Sequence, residues 1–318
     1  MISRYLALRL ELTEPALLSR NDSDPNSAAT LDYVPGAAIR GAVAAACVRQ
    51  GLDLRSLVLG DEVRYLNAYP AVGEHRSLPM PRSFRQVKNS DEVVDWAGPR
   101  DAAATATPTT GVAGFATFDA DRVSRGISRA RLRMHIQRDR DAGTAWRGSD
   151  DVAHGTPFSY RSLDAGQIFT ALVHISADGE NRADELLQAV KAALGADLQI
   201  GRARSKGYGG ACRIVWGGER DRESLDTSQG FAAGDTLRAV LTSDAIIRNP
   251  ETGEIDPARL AIKLADRLDA TPDQQFVSTR LVGGFNRTWG MALPQALAAS
   301  MGSVVTLGSV VASAVRMV

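Results

Sequence analysis

The sequence is poor in the residues that staple, ligate or anchor a chain. It holds only two cysteines, Cys47 and Cys212, far apart and with no CxxC spacing. A disulfide framework and a cysteine-ligated zinc are both excluded on that count, and a reducing cytoplasm is the expected setting. No stretch reaches the roughly 18 apolar residues needed to cross a bilayer, so no membrane contact is expected. There is no excess of either charge: 37 Lys and Arg balance 37 Asp and Glu. A polycation is thereby excluded, and any nucleic-acid contact must come from a local basic face. The GxxxxGK[ST], GxGxxG, GxSxG, HExxH and EF-hand patterns are missing, which leaves phosphate-loop, dinucleotide, hydrolase and calcium-site readings without support. Neither a cofactor nor a small-molecule substrate is expected.

What is present is enough apolar material for a core, 44% of 318 residues, at a length that suits two domains or one duplicated unit. Leu6, Leu8, Leu10 and Leu12 alternate with Ala7, Arg9 and Glu11, the period of a strand over 4–12 rather than a signal-peptide h-region. A polar loop over 13–35 leads to Pro35-Gly36, which opens a helix to about Gln50 with Ile39, Val43 and Ala46 on one face. Residues 129–138 alternate again, with Leu132, Met134 and Ile136 on one face and Arg131, Arg133, His135 and Gln137 on the other. Ile168–Ile175 is apolar on both faces and reads as a central strand. A helix over about 182–194 carries the stripe Leu186, Leu187, Val190, Leu194 and stops at Gly195. A glycine-rich loop, 201–210, leads into the strand Ala211–Trp216.

Strand, helix, insertion, strand, strand, helix, strand is the α+β, ferredoxin-like βαββαβ plan. It predicts a first domain over 1–218 with loop insertions at about 84–127 and 140–162. An α+β region follows over 219–318, a possible second, degenerate ferredoxin-like unit. In it, Leu237–Leu241 and Phe276–Leu281 read as strands, Pro257–Leu268 as a helix and 291–300 as a short helix. The apolar run from 302 to 318 reads as strands.

Three segments could carry chemistry. In Ile200-Gly-Arg-Ala-Arg-Ser-Lys-Gly-Tyr-Gly-Gly210, exposed amides could form an anion nest. Arg202, Arg204 and Lys206 add charge, Gly207 a turn, and Tyr208 a stacking face. A tight strand connection with solvated charges accounts for the same residues. Thr30–Gly41 combines a loop, a Pro-Gly helix start and Arg40 one turn in, as a phosphate site would. An ordinary helix start with a surface Arg looks the same. Arg280–Gly290 brings glycines together with Arg280, Asn286 and Arg287, or is simply a hairpin turn.

TLDYVPGAAIRGAVAAA resembles the motif after the first strand of RAMP proteins, where IPGSSLRG is typical. IGRARSKGYGG resembles the glycine-rich loop that closes their ferredoxin-like domain. LDYVPG, HRSLPMPRSF at 75–84 and VGGFNRTWGMALPQ look most like the RAMP subunit particular to type III-D CRISPR effector complexes. The resemblance implies a non-catalytic subunit that grips the 5′ handle of the CRISPR RNA in antiviral defence, beside other RAMP subunits and the large subunit. Carried over by position, it points to Arg40, Arg202, Arg204, Lys206 and Tyr208. Arg133 and His135 could line the RNA groove, or a solvent-facing edge.

Some RAMP relatives cut RNA. Of the four histidines, His174 lies in an apolar strand and reads as a core residue, and no partner can be placed beside His135. Other relatives cut target RNA with an aspartate of the loop after the first strand, using a divalent metal. Asp22, Asp24 and Asp32 occupy that loop here, where Asx residues also make ordinary turns. A metal-dependent endoribonuclease is therefore the alternative reading.

Overall fold

The computed structural model describes residues 2–19, 27–98, 108–119, 122–138, 141, 143–144, 157–195, 197–220, 236–286 and 291–308. The chain divides into two compact units, Met1–Ser77 with Gly126–Asp226 and Leu78–Arg125 with Thr227–Val318. The segment expected as an insertion at 84–127 thus belongs almost wholly with the C-terminal residues.

The first unit begins with β1 (Ile2–Leu12), α1 (Gly36–Gln50), β2 (Val63–Tyr65) and β3 (Tyr69–Val72). It continues through β4 (Ala130–Ile136), β5 (Pro157–Leu163), β6 (Ile168–Ala177), α2 (Glu180–Leu194), β7 (Asp197–Gln199) and β8 (Ala211–Arg220). In the main sheet β8 pairs with β1, β1 with β6, and β6 with both β2 and β3, all antiparallel. Taking β2 and β3 as one interrupted strand, this is the ferredoxin-like order 4-1-3-2. Hairpin partner β7 extends the β8 edge.

The leucine alternation of β1 puts Leu6, Leu8, Leu10 and Leu12 in one core with Ile39 and Val43 of α1 and Leu186, Leu187 and Val190 of α2. Each such side chain contributes about 1.5–3 kcal/mol when fully buried. Helix α1 is short of large residues and packs through a close backbone approach. A Cβ on Gly36 would lie 1.9 Å from the Tyr65 carbonyl oxygen, so only glycine lets the helix start against β2. His174 is buried on β6, stacked on Tyr5 at 4.6 Å and hydrogen-bonded through Nε2 to Ser3 Oγ at 2.7 Å. It is the core histidine its strand predicts.

Residues 129–138 do not supply the second ferredoxin strand. That place goes to β2 and β3, and β4 instead forms a hairpin with β5, from Ala130↔Leu163 to Ile136↔Pro157. Ser27–Ala29 joins the other edge of β5 in parallel. The apolar face of β4 stays open, with Leu132 60%, Met134 67% and Ile136 58% exposed. Alternation marks a two-faced strand; which partner it finds is set by pairing far away in the chain.

In the second unit, β9 (Leu237–Val240), α3 (Leu260–Leu268), β10 (Thr271–Phe276) and β11 (Val304–Gly308) form a three-stranded antiparallel sheet with one helix. Leu237, Leu260, Ala265, Val305 and Leu307 make its core. The expected short helix at 291–300 is absent. Met291–Ala292 pairs with Phe285–Asn286, and Ala296–Ala299 with Thr279–Val282. Pairing and the burial of Ala298 and Ala299 override the helix preference of alanine. Of the apolar C-terminal run, Val304–Gly308 is a strand, and 309–318 lie outside the described residues.

Candidate nucleic-acid interface

The glycine-rich loop, the β4–β5 hairpin and the chain after β1 meet in the first unit. Ala16 and Leu163 exchange backbone hydrogen bonds at 3.0 and 2.9 Å, which ties the segment to the hairpin base. The Leu17 amide donates to the Tyr208 carbonyl, and Arg202 and Gly210 donate back to Leu17 and Pro15. On its other side the Leu18 amide donates to Thr30 Oγ1, and Leu31 to the Leu18 carbonyl. Residues 15–18 are thus a common seam for the loop, the hairpin and the segment before α1.

This seam changes the reading of the loop. Its glycines approach the protein's own backbone: a Cβ on Gly201 would lie 2.4 Å from the Tyr208 carbonyl oxygen. The amides of Arg202, Lys206, Gly207, Tyr208 and Gly210 already donate to carbonyls, so these five, on either side of the one-turn helix start, are spent within the protein rather than offered to an anion. What the loop offers outward is side chains. Arg202, Arg204 and Lys206 are exposed, and among the described residues none of them pairs with a carboxylate.

Tyr208 is not an open stacking face. It is 1% exposed, and its hydroxyl lies 2.7 Å from His135 Nε2 of β4. The hairpin register places His135 opposite Phe158 and Arg133 opposite Tyr160, all on one face. His135 and Phe158 stack at 5.1 Å with planes 16° apart. Tyr160 meets Tyr208 edge-on at 5.4 Å and Phe158 at 5.2 Å. The Lys206 ammonium lies over this group, 4.6 Å from the Phe158 ring centroid and 5.5 Å from that of Tyr160. Tertiary folding therefore brings His135, Lys206 and Tyr208 into one aromatic and basic cluster and adds Phe158 and Tyr160. Those two fall in the segment read as irregular over 140–162, although Phe158-Ser-Tyr160-Arg-Ser has strand-like alternation.

The remaining candidates are more scattered. Arg133 is exposed on the same hairpin face. Arg40 is exposed on α1, and the Gly36 amide at the helix start is taken by Asn67 Oδ1 at 2.9 Å. Asp32 is exposed and lies 3.5 Å from the Arg161 guanidinium; Asp22 and Asp24 lie outside the described residues. Among the described residues no group of three or more His, Cys, Asp or Glu could hold a metal ion. In the second unit Arg280 pairs with Asp244 at 3.4 Å. The backbone of Asn286 belongs to the short hairpin Phe285–Asn286 with Met291–Ala292, and Arg287 is outside the described residues.

No protein-family model matches the sequence, and no curated protein matches it. Solved structures do. A chain in the cryo-EM structure of the Type III-B Cmr-beta bound to cognate target RNA and AMPPnP matches with a TM-score of 0.52 and 13% identity. The match covers 95% of this chain and 86% of that one. A chain in the structure of the Type III-B Cmr-beta bound to cognate target RNA matches with a TM-score of 0.50 and 12% identity, over 94% and 86%. At such identities the likeness is one of fold: the α+β, ferredoxin-like architecture built here is shared with those chains.

Proposed function

We propose that this chain is an RNA-binding subunit of a type III CRISPR effector complex, with the resemblance to the type III-D subunit naming the 5′ handle of the CRISPR RNA as its ligand. The observation that carries the reading is the cluster where the glycine-rich loop meets the hairpin. It sets Lys206 over Phe158 and Tyr160, with Arg202 and Arg204 exposed on the same loop. Cations meet the phosphate backbone and rings meet bases, which is the combination single-stranded nucleic acid requires. The fold likeness to chains of an RNA-bound type III assembly adds support, as do the two RAMP-like motifs, one running into α1 and the other preceding β8. Partners on this reading are the CRISPR RNA, other RAMP subunits and the large subunit, in the cytoplasm. The role is one of binding, without a cofactor.

The test is binding of the full chain to a CRISPR RNA carrying its 5′ handle, against a scrambled RNA, across a salt series. The Arg202→Ala/Arg204→Ala/Lys206→Ala variant runs alongside. Handle-selective binding that weakens in the variant is expected. The slope of log K against log salt should become shallower by about 2, since each phosphate neutralised on a single strand contributes about 0.7. Equal, weak binding of both RNAs that ignores the variant would defeat the reading. RNA cleavage abolished by Asp32→Ala would replace it with an endoribonuclease.

A further inference from the structure

We propose that Phe158 and Tyr160 form a platform for one unpaired base of a bound RNA strand, uncovered when Lys206 leaves the rings for the phosphate of that nucleotide. This rests on the RNA-binding reading above and names the element of RNA that the cluster takes.

Phe158 and Tyr160 stand two residues apart on β5, so both project from the same face of the hairpin. Both are half-buried. They are held by neighbours of their own: His135 stacks on Phe158, Tyr208 abuts Tyr160, and the His135–Tyr208 hydrogen bond locks the two supports together. Rings fixed in this way lose little freedom when a flat ligand stacks on them.

The cover is of a different kind. Lys206 belongs to the one-turn helix Arg204–Lys206 of the loop, and its side chain is exposed. Among the described residues no carboxylate holds it, and its ammonium touches the rings through cation–π contacts alone. Such contacts at exposed sites are weaker than the stacking of a base on an aromatic ring. A base can therefore take the ring, while the displaced ammonium exchanges a weak partner for a phosphate.

The surroundings select among flat ligands. A cationic ligand would have to enter beside Lys206, with Arg133 opposite Tyr160 in the hairpin register, and would meet like charge. A bare anion would engage the cations and leave both rings unused. A nucleotide uses both, and only a single strand presents its bases unstacked.

The test uses the full chain and a single-stranded RNA carrying 5-iodouridine at successive positions. Irradiation joins that base to an aromatic side chain in contact with it, and mass spectrometry of the joined peptide locates the side chain. The expected result is a crosslink at Phe158 or Tyr160 in the unsubstituted chain. It should persist in Tyr160→Phe and disappear in Phe158→Leu/Tyr160→Leu, with RNA affinity about tenfold lower in the double variant. The crosslink in the unsubstituted chain reads the platform directly, whatever the double variant does to folding. Binding with crosslinks only elsewhere, or equal affinity in a folded double variant, overturns the platform and leaves RNA binding in place. Failure to bind any RNA overturns both. The same strand annealed into a duplex should not crosslink at these rings; if it does, the single-strand assignment is wrong.

Discussion

His135 Nε2 and the Tyr208 hydroxyl, 73 residues apart in sequence, lie 2.7 Å from each other and join the β4–β5 hairpin to the glycine-rich loop. Tyr208 is buried while His135 is half-buried, so removing the histidine strands the tyrosine hydroxyl away from water. Tyr208→Phe should cost about 0.5–1.5 kcal/mol, the net worth of one such bond. His135→Ala should cost more, because it leaves a buried hydroxyl unsatisfied and deletes a ring stacked on Phe158. Denaturant titration of both variants checks the order; equal losses would mean that the hydrogen bond and the stack do not act separately.

Gly36 is a site where a single methyl group should matter. The Tyr65 carbonyl occupies the space a Cβ would need, at 1.9 Å, and that atom is backbone, not a side chain that could swing away. Gly36→Ala should destabilise by about 3 kcal/mol or more, at the upper end of overpacking costs. Gly41→Ala on the same helix meets nothing within 4 Å and should be neutral or mildly stabilising. Thermal melts of the pair give the comparison.

The Arg182 guanidinium donates to both Glu62 carboxylate oxygens, at 3.0 and 2.7 Å, and holds that carboxyl below its usual range. A carboxyl with a depressed folded-state pKa stabilises the fold above its unfolded pKa, near 4.5, and the gain disappears as pH falls through the folded value. The pair is more than a third exposed, so its contribution at neutral pH should stay under about 1 kcal/mol. Glu62→Gln should therefore lower the melting temperature slightly at pH 7, and the difference from the parent should shrink as the pH is taken well below 4.5. A difference that grows towards low pH would reverse the sign.

Both thiols are buried, and burial raises their pKa, that of Cys212 to about 12. The thiolate is the reactive form. Neither cysteine should react with an aromatic disulfide reagent at mildly alkaline pH in the folded chain, and both should react in denaturant. Prompt labelling of the folded chain would place at least one thiol at the surface.

Much of the first unit could be read from sequence, because its signals are local. The leucine alternation of β1, the stripe on α2 and the Pro35-Gly36 start of α1 each depend on a few neighbouring residues. The second sheet strand is hidden in the sequence because it comes in two short pieces, Val63–Tyr65 and Tyr69–Val72, the latter containing Pro70. The more regular alternation of 129–138 stands out in its place. The loop residues are legible as a group, but their surroundings are not. Tyr208 looks exposed between two glycines, and only the hairpin arriving from elsewhere in the chain buries it. Phe158 and Tyr160 escape notice because the polar stretch before them masks a strand of seven residues.

The seam formed by residues 15–18 has a consequence for how fast a ligand could be captured. Because the loop backbone is already hydrogen-bonded to Pro15 and Leu17, it does not have to fold around an incoming strand. A chain that orders its backbone on contact gives up conformational entropy at that moment; here that loss belongs to folding instead. Only a few long side chains remain to be arrested, and encounter, guided by their charge, would set the rate of capture.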